Sequence, residues 1–351
     1  MIAWEGSTLG RQGIARLART WNRPRKRREA ISPRRASLMK YPDTPPIITV
    51  FGGGGFIGRY VCELLLKTGA RLRVAERDPR RAHFLQPLAG VGQLSAMAAD
   101  LGRPDPIMRT VEGAEAVVNL VGIFNGDLER VHVHGAGTLA AAAWAAGAKD
   151  FVHVSAIGAD PNSPAEYGRT KGLGEQAVRA GYPGATIIRP SVVFGPEDNF
   201  TNRFAALMGL PIVPVIAPRT RFQPIFVQDL ARAIAAAALD RPTHAGITDE
   251  LAGPETMTMR ELNSRIAAMA GKSPKLIDVP DFVAAAMATL GFLPGAPLTR
   301  DQWLMLLRDN VPSRDLPGLE AFGITPTPLA AAAPEWLGRY RKGGRFAPSA
   351  A

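Results

Sequence analysis

Cysteine is nearly missing: Cys62 is the only one among 351 residues. An intramolecular disulfide and a cysteine metal site are both excluded. Long apolar runs are missing as well. No 18-residue apolar stretch occurs, and the run 231–239 is short and bracketed by Asp229 and Asp240, so no membrane span is expected. Internal repeats are absent. His132 and His134 have no partners at metal-ligand spacing, so no metal is expected, and packing or capping is the reading of both. Most of the chain also lacks any excess charge. The formal net charge of +11 is concentrated in residues 1–40, which hold 11 Lys/Arg against Glu5 and Glu29. The other 311 residues hold 31 basic and 29 acidic side chains, so a nucleic-acid-binding reading of the whole protein fails.

The first 40 residues are Arg-rich, with Trp4, Leu9, Ile14 and Leu17 among the basic side chains. Three readings fit: a transit segment, a basic arm for an anionic surface, or an upstream extension with translation starting at Met39. The last is favoured. In each case residues 1–44 lie outside the fold.

From residue 47 onward, short β-branched runs alternate with helical patterns. Strands are expected at 47–51, 71–75, 94–98, 116–120, 151–154 and 186–189, with a helix over 131–146 closed by Gly147. Parallel neighbours need crossover helices, so the pattern predicts an α/β fold with a Rossmann-like, doubly wound parallel sheet. After Arg189 proline and glycine become dense. Asp229 is read as the N-cap of a helix to residue 239, and further helices are expected over 258–270 and 299–308. The stretch 279–293 has Asp281 as its only charge; a core helix is favoured over one that docks on a partner or membrane face. Cys62 is expected to be a small buried thiol in the helix after residue 55.

Residues 48–60, ITVFGGGGFIGRY, place a glycine-rich loop between a strand and a helix. The loop parses as G-x-G-x-x-G through Gly53, Gly55 and Gly58, or as G-x-x-G-x-x-G through Gly52, Gly55 and Gly58. Either frame lets backbone approach a pyrophosphate at a helix N-terminus, so a bound dinucleotide is expected. Residues 45–195 then form the dinucleotide-binding domain. Residues 196–339 form a smaller C-terminal substrate or docking region, partly interwoven with the first (222–239 returning to it), and 340–351 are a tail. At the second-strand exit, Glu76 reads as an NAD signal and Arg77 as an NADP signal. Consecutive residues point opposite ways, and the favoured reading is Arg77 with NADP(H) over NAD(H). Arg59 is a candidate second positive group. Asp100 and Leu101 are placed to meet the adenine edge. Leu120, Val121 and Gly122 are placed under the pyrophosphate and nicotinamide ribose.

Tyr167 and Lys171 form Y-x-x-x-K at the start of an expected helix, which puts both on one face. Lys171 would then lower the pKa of Tyr167 and hold the nicotinamide ribose, leaving the tyrosine hydroxyl as acid/base. With these motifs, the strings Arg189-Pro-Ser-Val-Val-Phe-Gly-Pro196, Pro224-Ile-Phe-Val-Gln-Asp229 and Leu251-Ala-Gly-Pro-Glu resemble the extended short-chain dehydrogenase/reductase superfamily. Further strings are similar to the group of the NADPH-holding accessory subunit of respiratory complex I and its bacterial relatives. They are Phe56-Ile-Gly-Arg59, Val117-Val-Asn-Leu-Val-Gly122, Phe151-Val-His-Val-Ser-Ala156, Gly195-Pro-Glu-Asp-Asn-Phe200, Thr299-Arg-Asp-Gln302 and Leu316-Pro-Gly-Leu-Glu-Ala-Phe-Gly-Ile324.

The resemblance covers about residues 47–329. It implies the Gly52, Gly55, Gly58 frame, with Gly53 and Gly54 as the flexible interior of the turn. It also implies cofactor contacts at Phe56, Ile57, Arg59, Pro190 and Val193. Active extended members carry Ser or Thr directly after the strand-end Ser. Here Ser155 is followed by Ala156, and Ser155 could stand in only if the strand end shifts. The resemblance therefore implies an NADP(H)-holding accessory or assembly protein of complex I or quinone (ubiquinone) metabolism with little or no turnover. The alternative is an active NAD(P)-dependent reductase, epimerase or dehydratase using Tyr167, Lys171 and Ser155. The expected location is the cytoplasm, or peripherally the inner face of an energy-transducing membrane, with a bacterial cytoplasm favoured over a mitochondrial matrix.

Overall fold

The computed structural model describes residues 45–289, 291, 298–341 and 344. The basic extension, the end of the 279–293 stretch and most of 340–351 lie outside the described residues. Strands β1 (Ile47–Phe51), β2 (Arg71–Glu76), β3 (Leu94–Ala98), β4 (Ala116–Asn119), β5 (Asp150–Val154), β6 (Thr186–Pro190) and β7 (Thr248–Leu251) form one sheet. All its pairings are parallel, in the order β7-β6-β5-β4-β1-β2-β3. The strand order, not the chain direction, reverses between β1 and β4, and such a switch point opens a crevice at the carboxyl ends of the strands. The crossover helices are α1 (Phe56–Lys67), α2 (Pro104–Val111), α3 (Ala136–Ala145), α4 (Glu166–Gly181) and α5 (Val227–Leu239).

Side-chain alternation sorts each strand between two cores. Val50, Val118, Val152 and Ile188 face α1 and α5, meeting Val61, Leu65, Leu230 and Ile234. Phe51, Val117, Phe151 and Ile187 face α3 and α4, meeting Leu139, Val178 and Tyr182. These side chains are fully buried, and each contributes roughly 1.5–3 kcal/mol relative to exposure. A third core gathers Phe194, Phe222, Leu262, Ile266 and Trp336 in the C-terminal region. There α6 (Met259–Met269) and α8 (Arg300–Leu306) each begin with a capping box, through Thr258/Glu261 and Thr299/Gln302. Helix α7 (Asp281–Thr289) buries Ala284 and Ala288 while Phe282 stays 77% exposed, so it is not the wholly buried helix its composition favours.

Three local expectations are corrected. Strand β7 falls outside the expected strands because Asp249 and Glu250 break its apolar pattern. Glu250 nevertheless sits inside, bound to Arg189 at 3.2 Å and to the Ser313 N–H at 2.6 Å. The helix expected over 131–146 begins as a π-helical turn, Arg130–Gly135, and becomes α-helical only at Ala136. Asp229 is not an N-cap: Phe226 holds that position. Buried inside the first turn, Asp229 instead binds Arg232 and accepts the Thr327 N–H at 2.6 Å, anchoring a distant segment.

Candidate functional site

The glycine loop joins β1 to α1 at the crevice. Gly52 has φ +81°, a conformation that side chains resist. Its carbonyl accepts the Gly55 N–H at 3.0 Å. A Cβ on Gly58 would collide with the Gly52 carbonyl oxygen and the Gly53 backbone, so α1 can approach the loop only with glycine there. Gly53 and Gly54 are not a flexible interior. A Cβ on Gly53 would lie 2.8 Å from Val74 Cγ1 and 2.9 Å from Cys62 Sγ, and one on Gly54 would lie 2.9 Å from the Arg81 carbonyl oxygen. Every glycine from 52 to 54 is there because something is packed against it or because its φ demands it. Cys62 is the buried thiol behind the loop, and burial pushes its pKa up.

Glu76 and Arg77 leave β2 in opposite directions. The Glu76 carboxylate turns inward and accepts the Gly54 N–H at 2.6 Å, while Arg77 is exposed. Among the described residues, the first-turn amides of Phe56, Ile57 and Gly58 have no hydrogen-bond acceptor. Bare N–H groups at the positive end of a 12-residue helix are a ready anion cradle. Gly122, across the crevice, has open space where a side chain would be. These features fit a dinucleotide pyrophosphate.

Arg59 lies one turn into α1. Its guanidinium stands 4.6 Å over the Phe84 ring and binds Glu197 at 2.6 Å, so it is already engaged. The Asp100 Oδ1 accepts the Gly102 N–H at 2.9 Å, which turns that oxygen back into its own loop; Leu101 is buried under Gly135. Pro190 is buried at the end of β6, and Val193 pairs with Ile225.

At the end of β4, Asn119 Oδ1 accepts the Val121 N–H, and its Nδ2 donates to His153 Nδ1, both at 3.1 Å. This fixes the loop that carries Leu120, Val121 and Gly122. His153 Nε2 and the Ser155 hydroxyl are buried without a partner among the described residues. The Ser155 N–H still bonds Ile188 O at 2.7 Å, so Ser155 stays on the ladder just beyond β5, followed by Ala156.

Tyr167 and Lys171 share the crevice-facing side of α4. Lys171 is 2% exposed and donates from Nζ to the Val154 carbonyl at 2.8 Å; burial lowers its pKa to about 8. Lysine does not lower the tyrosine as expected. Burial pushes the Tyr167 hydroxyl up to about 12. The Phe124 ring stacks on Tyr167 at 4.7 Å and 13°, and His132 meets it edge-on at 5.5 Å. Apolar cover disfavours the phenolate, and the lysine charge is spent on a carbonyl.

Two residues with no assigned chemistry organise this helix. His132, set by the π-helical turn, accepts the Ile123 N–H at Nε2 (3.1 Å) and reaches Thr170 Oγ1 through Nδ1 (3.0 Å). That pattern needs a neutral ring, and burial with Lys171 nearby lowers its pKa to about 3. Asp301 of α8 accepts the N–H groups of Glu166 and Tyr167. Asp301 stood in a resemblance string, but only tertiary structure shows what it holds. His132 carried no signal beyond being a histidine in an Ala-rich stretch. Among the described residues no group of side chains could hold a metal, and no helix is long and apolar enough to cross a membrane.

Known proteins agree with this geometry. The model of the NAD dependent epimerase/dehydratase family matches residues 48–245. The chain is 35% identical over 304 residues to NADH dehydrogenase (ubiquinone) 1 alpha subcomplex subunit 9, mitochondrial, of Rattus norvegicus, covering 84% of this chain and 80% of that protein. It is 32% identical over 247 residues to the ceramide reductase of Caulobacter vibrioides, covering 68% and 75%. The NADPH-dependent quinone oxidoreductase of Escherichia coli, solved with NADPH, shares the fold with a TM-score of 0.65 at 23% identity, over 81% of this chain and 97% of that one. The chain belongs to the NAD-dependent epimerase/dehydratase family.

Proposed function

We propose that the protein is an NADP(H)-holding accessory or assembly protein of respiratory complex I or quinone metabolism, with little or no turnover. The observation that carries this reading is the state of Tyr167. Its ring is covered by Phe124, its hydroxyl is pushed up to about 12, and the neighbouring Lys171 Nζ is bound to Val154 O. Ala156 adds no donor beside it. A missing polarising donor typically costs a few orders of magnitude in rate. Similarity to the rat subunit supports the partner.

In this reading Gly52, Gly55 and the amides of Phe56, Ile57 and Gly58 hold the pyrophosphate. Arg77 takes the 2′-phosphate, since Glu76 is tied to Gly54 and does not oppose it. Asp100 and Leu101 border the adenine; Leu120, Val121 and Gly122 line the floor. Tyr167 and Lys171 hold the nicotinamide ribose, and Pro190 and Val193 flank the ring. When bound, the nicotinamide supplies hydride-transfer chemistry. The chain's own residues bind it, orient it and exclude water. The protein would sit peripherally on the membrane face where its partner is anchored.

A second reading, an active NAD(P)-dependent reductase, epimerase or dehydratase, is favoured by the retained Tyr167/Lys171 pair and by the ceramide reductase relative. Native pull-down with cofactor analysis tests both. NADPH carried with complex I subunits is the expected result, and a preparation with no measurable NADP(H) affinity overturns both. Turnover that disappears in Tyr167→Phe would establish the second reading.

A further inference from the structure

Arg59, Tyr60 and Glu197 form a contact that neither the fold nor the expected cofactor cradle requires. Glu197 Oε1 accepts from Arg59 Nη1 at 2.6 Å, and Oε2 accepts from the Tyr60 hydroxyl at 2.7 Å, across about 137 residues of chain. Burial and the Glu197 bond together push the Tyr60 hydroxyl up, so it remains a donor. One carboxylate thus grips two neighbouring side chains of α1, beside the amides that have no acceptor.

Glu197 projects from a stiff base. Asp198 is 3% exposed and its carboxylate accepts the Gly195 N–H at 2.8 Å and the Thr201 hydroxyl at 2.5 Å. Asn202 Nδ2 donates to the Pro196 carbonyl at 3.1 Å. Gly195 is wedged against Val227 and Phe56 with no space for a side chain. On the other flank Arg59 lies over Phe84, from the segment that follows β2. The line Glu197–Arg59–Phe84 therefore links elements from both sides of the sheet's switch point through the first turn of α1.

Arg59 also has a donor that the Glu197 contact does not use. Its Nε–H is buried without a partner among the described residues. A guanidinium presents donors in a fixed fork, so Arg59 can keep Glu197 on Nη1 and offer Nε to a phosphate oxygen at the same time.

We propose that Glu197 is a retention latch of the dinucleotide site. It closes segment 195–198 onto α1, and the cofactor enters and leaves only when the Arg59 and Tyr60 bonds break. This rests on the reading that the chain holds NADP(H). A latch differs from a binding contact in its kinetics, because it slows entry and exit together and leaves affinity nearly unchanged.

The test is stopped-flow fluorescence of NADPH binding to, and release from, the full chain. In Glu197→Ala both rate constants should rise about three- to tenfold, the scale of one partly exposed ion pair with an added hydrogen bond. Kd should change less than twofold. Tyr60→Phe, which spares the ion pair, should give a smaller rise in both. The ratio of variant to parent rates should shrink in 0.5 M salt, where exposed ion pairs are screened to about 4 Å. Release at the parent rate, or faster release with unchanged entry, overturns the latch while leaving NADPH holding intact. A parent chain that binds no NADPH overturns both.

Discussion

Asp301 accepts the backbone N–H of Tyr167 at 3.2 Å, although 134 residues separate them in sequence. It also takes the Glu166 N–H, so a carboxylate from α8 caps a helix whose own N-cap residue, Ala165, has no side-chain acceptor. Removing such a cap costs about 1–2 kcal/mol. Asp301→Ala should therefore lower the melting temperature of the full chain by roughly 2–6 °C. Asp301→Asn, which keeps an acceptor oxygen, should recover part of that loss. Equal melting of parent and Asp301→Ala would show that the cap carries no weight.

Phe124 covers Tyr167 but is itself 68% exposed. Its removal should admit water to the phenol, and the Tyr167 pKa should fall from about 12 towards 10. Ultraviolet titration of tyrosinate in Phe124→Ala, set against the parent and against Tyr167→Phe, reads this directly. An unshifted titration would mean that Phe124 is not what keeps water from the hydroxyl.

Asp249 is buried with neither carboxylate oxygen partnered among the described residues. Burial first, and Glu320 second, raise its pKa to about 7. The nearest base is His244, whose Nδ1 lies 4.0 Å away and whose own pKa is lowered by burial. The folded pKa of Asp249 lies above the unfolded value near 4, so its contribution is present below about pH 4 and lost as pH rises through about 7. The stability difference between parent and Asp249→Asn should thus move against the parent between pH 4 and 7. Denaturant midpoints across that range measure it, and a flat difference would contradict the assignment.

Gly53→Ala should destabilise the protein by about 1–3 kcal/mol, because the new methyl meets Val74 and Cys62 inside a filled core. Gly122→Ala, facing open space, should leave folding unchanged. Thermal unfolding of the two variants measures this, and equal midpoints would show that the packing against Gly53 carries no weight.

Arg77→Ala should weaken NADPH binding far more than NADH binding, since only NADPH carries the 2′-phosphate. Equal losses in a fluorescence titration would return the cofactor choice to Glu76.

The regular half of this molecule was legible from its residues. Six strands, the α1 turn and the Tyr167/Lys171 face follow from periodicities of two and 3.6, which act locally. What escaped depends on partners distant in sequence. Strand β7 hides behind Asp249 and Glu250, which look like surface residues until Arg189 and Ser313 are brought to Glu250. The π-helical turn at Arg130–Gly135 adds a residue to one turn, and no local pattern marks it. The tyrosine pKa departs from what the spacing implies, because spacing places Lys171 on the right face but does not say that Val154 O captures its ammonium.

The helix α5 has a consequence for how the protein is made. The faces of β1, β4, β5 and β6 carrying Val50, Val118, Val152 and Ile188 are covered by Leu230 and Ile234, and the sheet edge is completed by β7. Synthesis at roughly 5–20 residues per second leaves the part of those faces that α5 covers bare for seconds after β6 has emerged. The glycine-loop half therefore emerges before the helix that covers part of its sheet. A nascent chain stopped after Pro190 would be a ligand for chaperones before it could be one for a nucleotide.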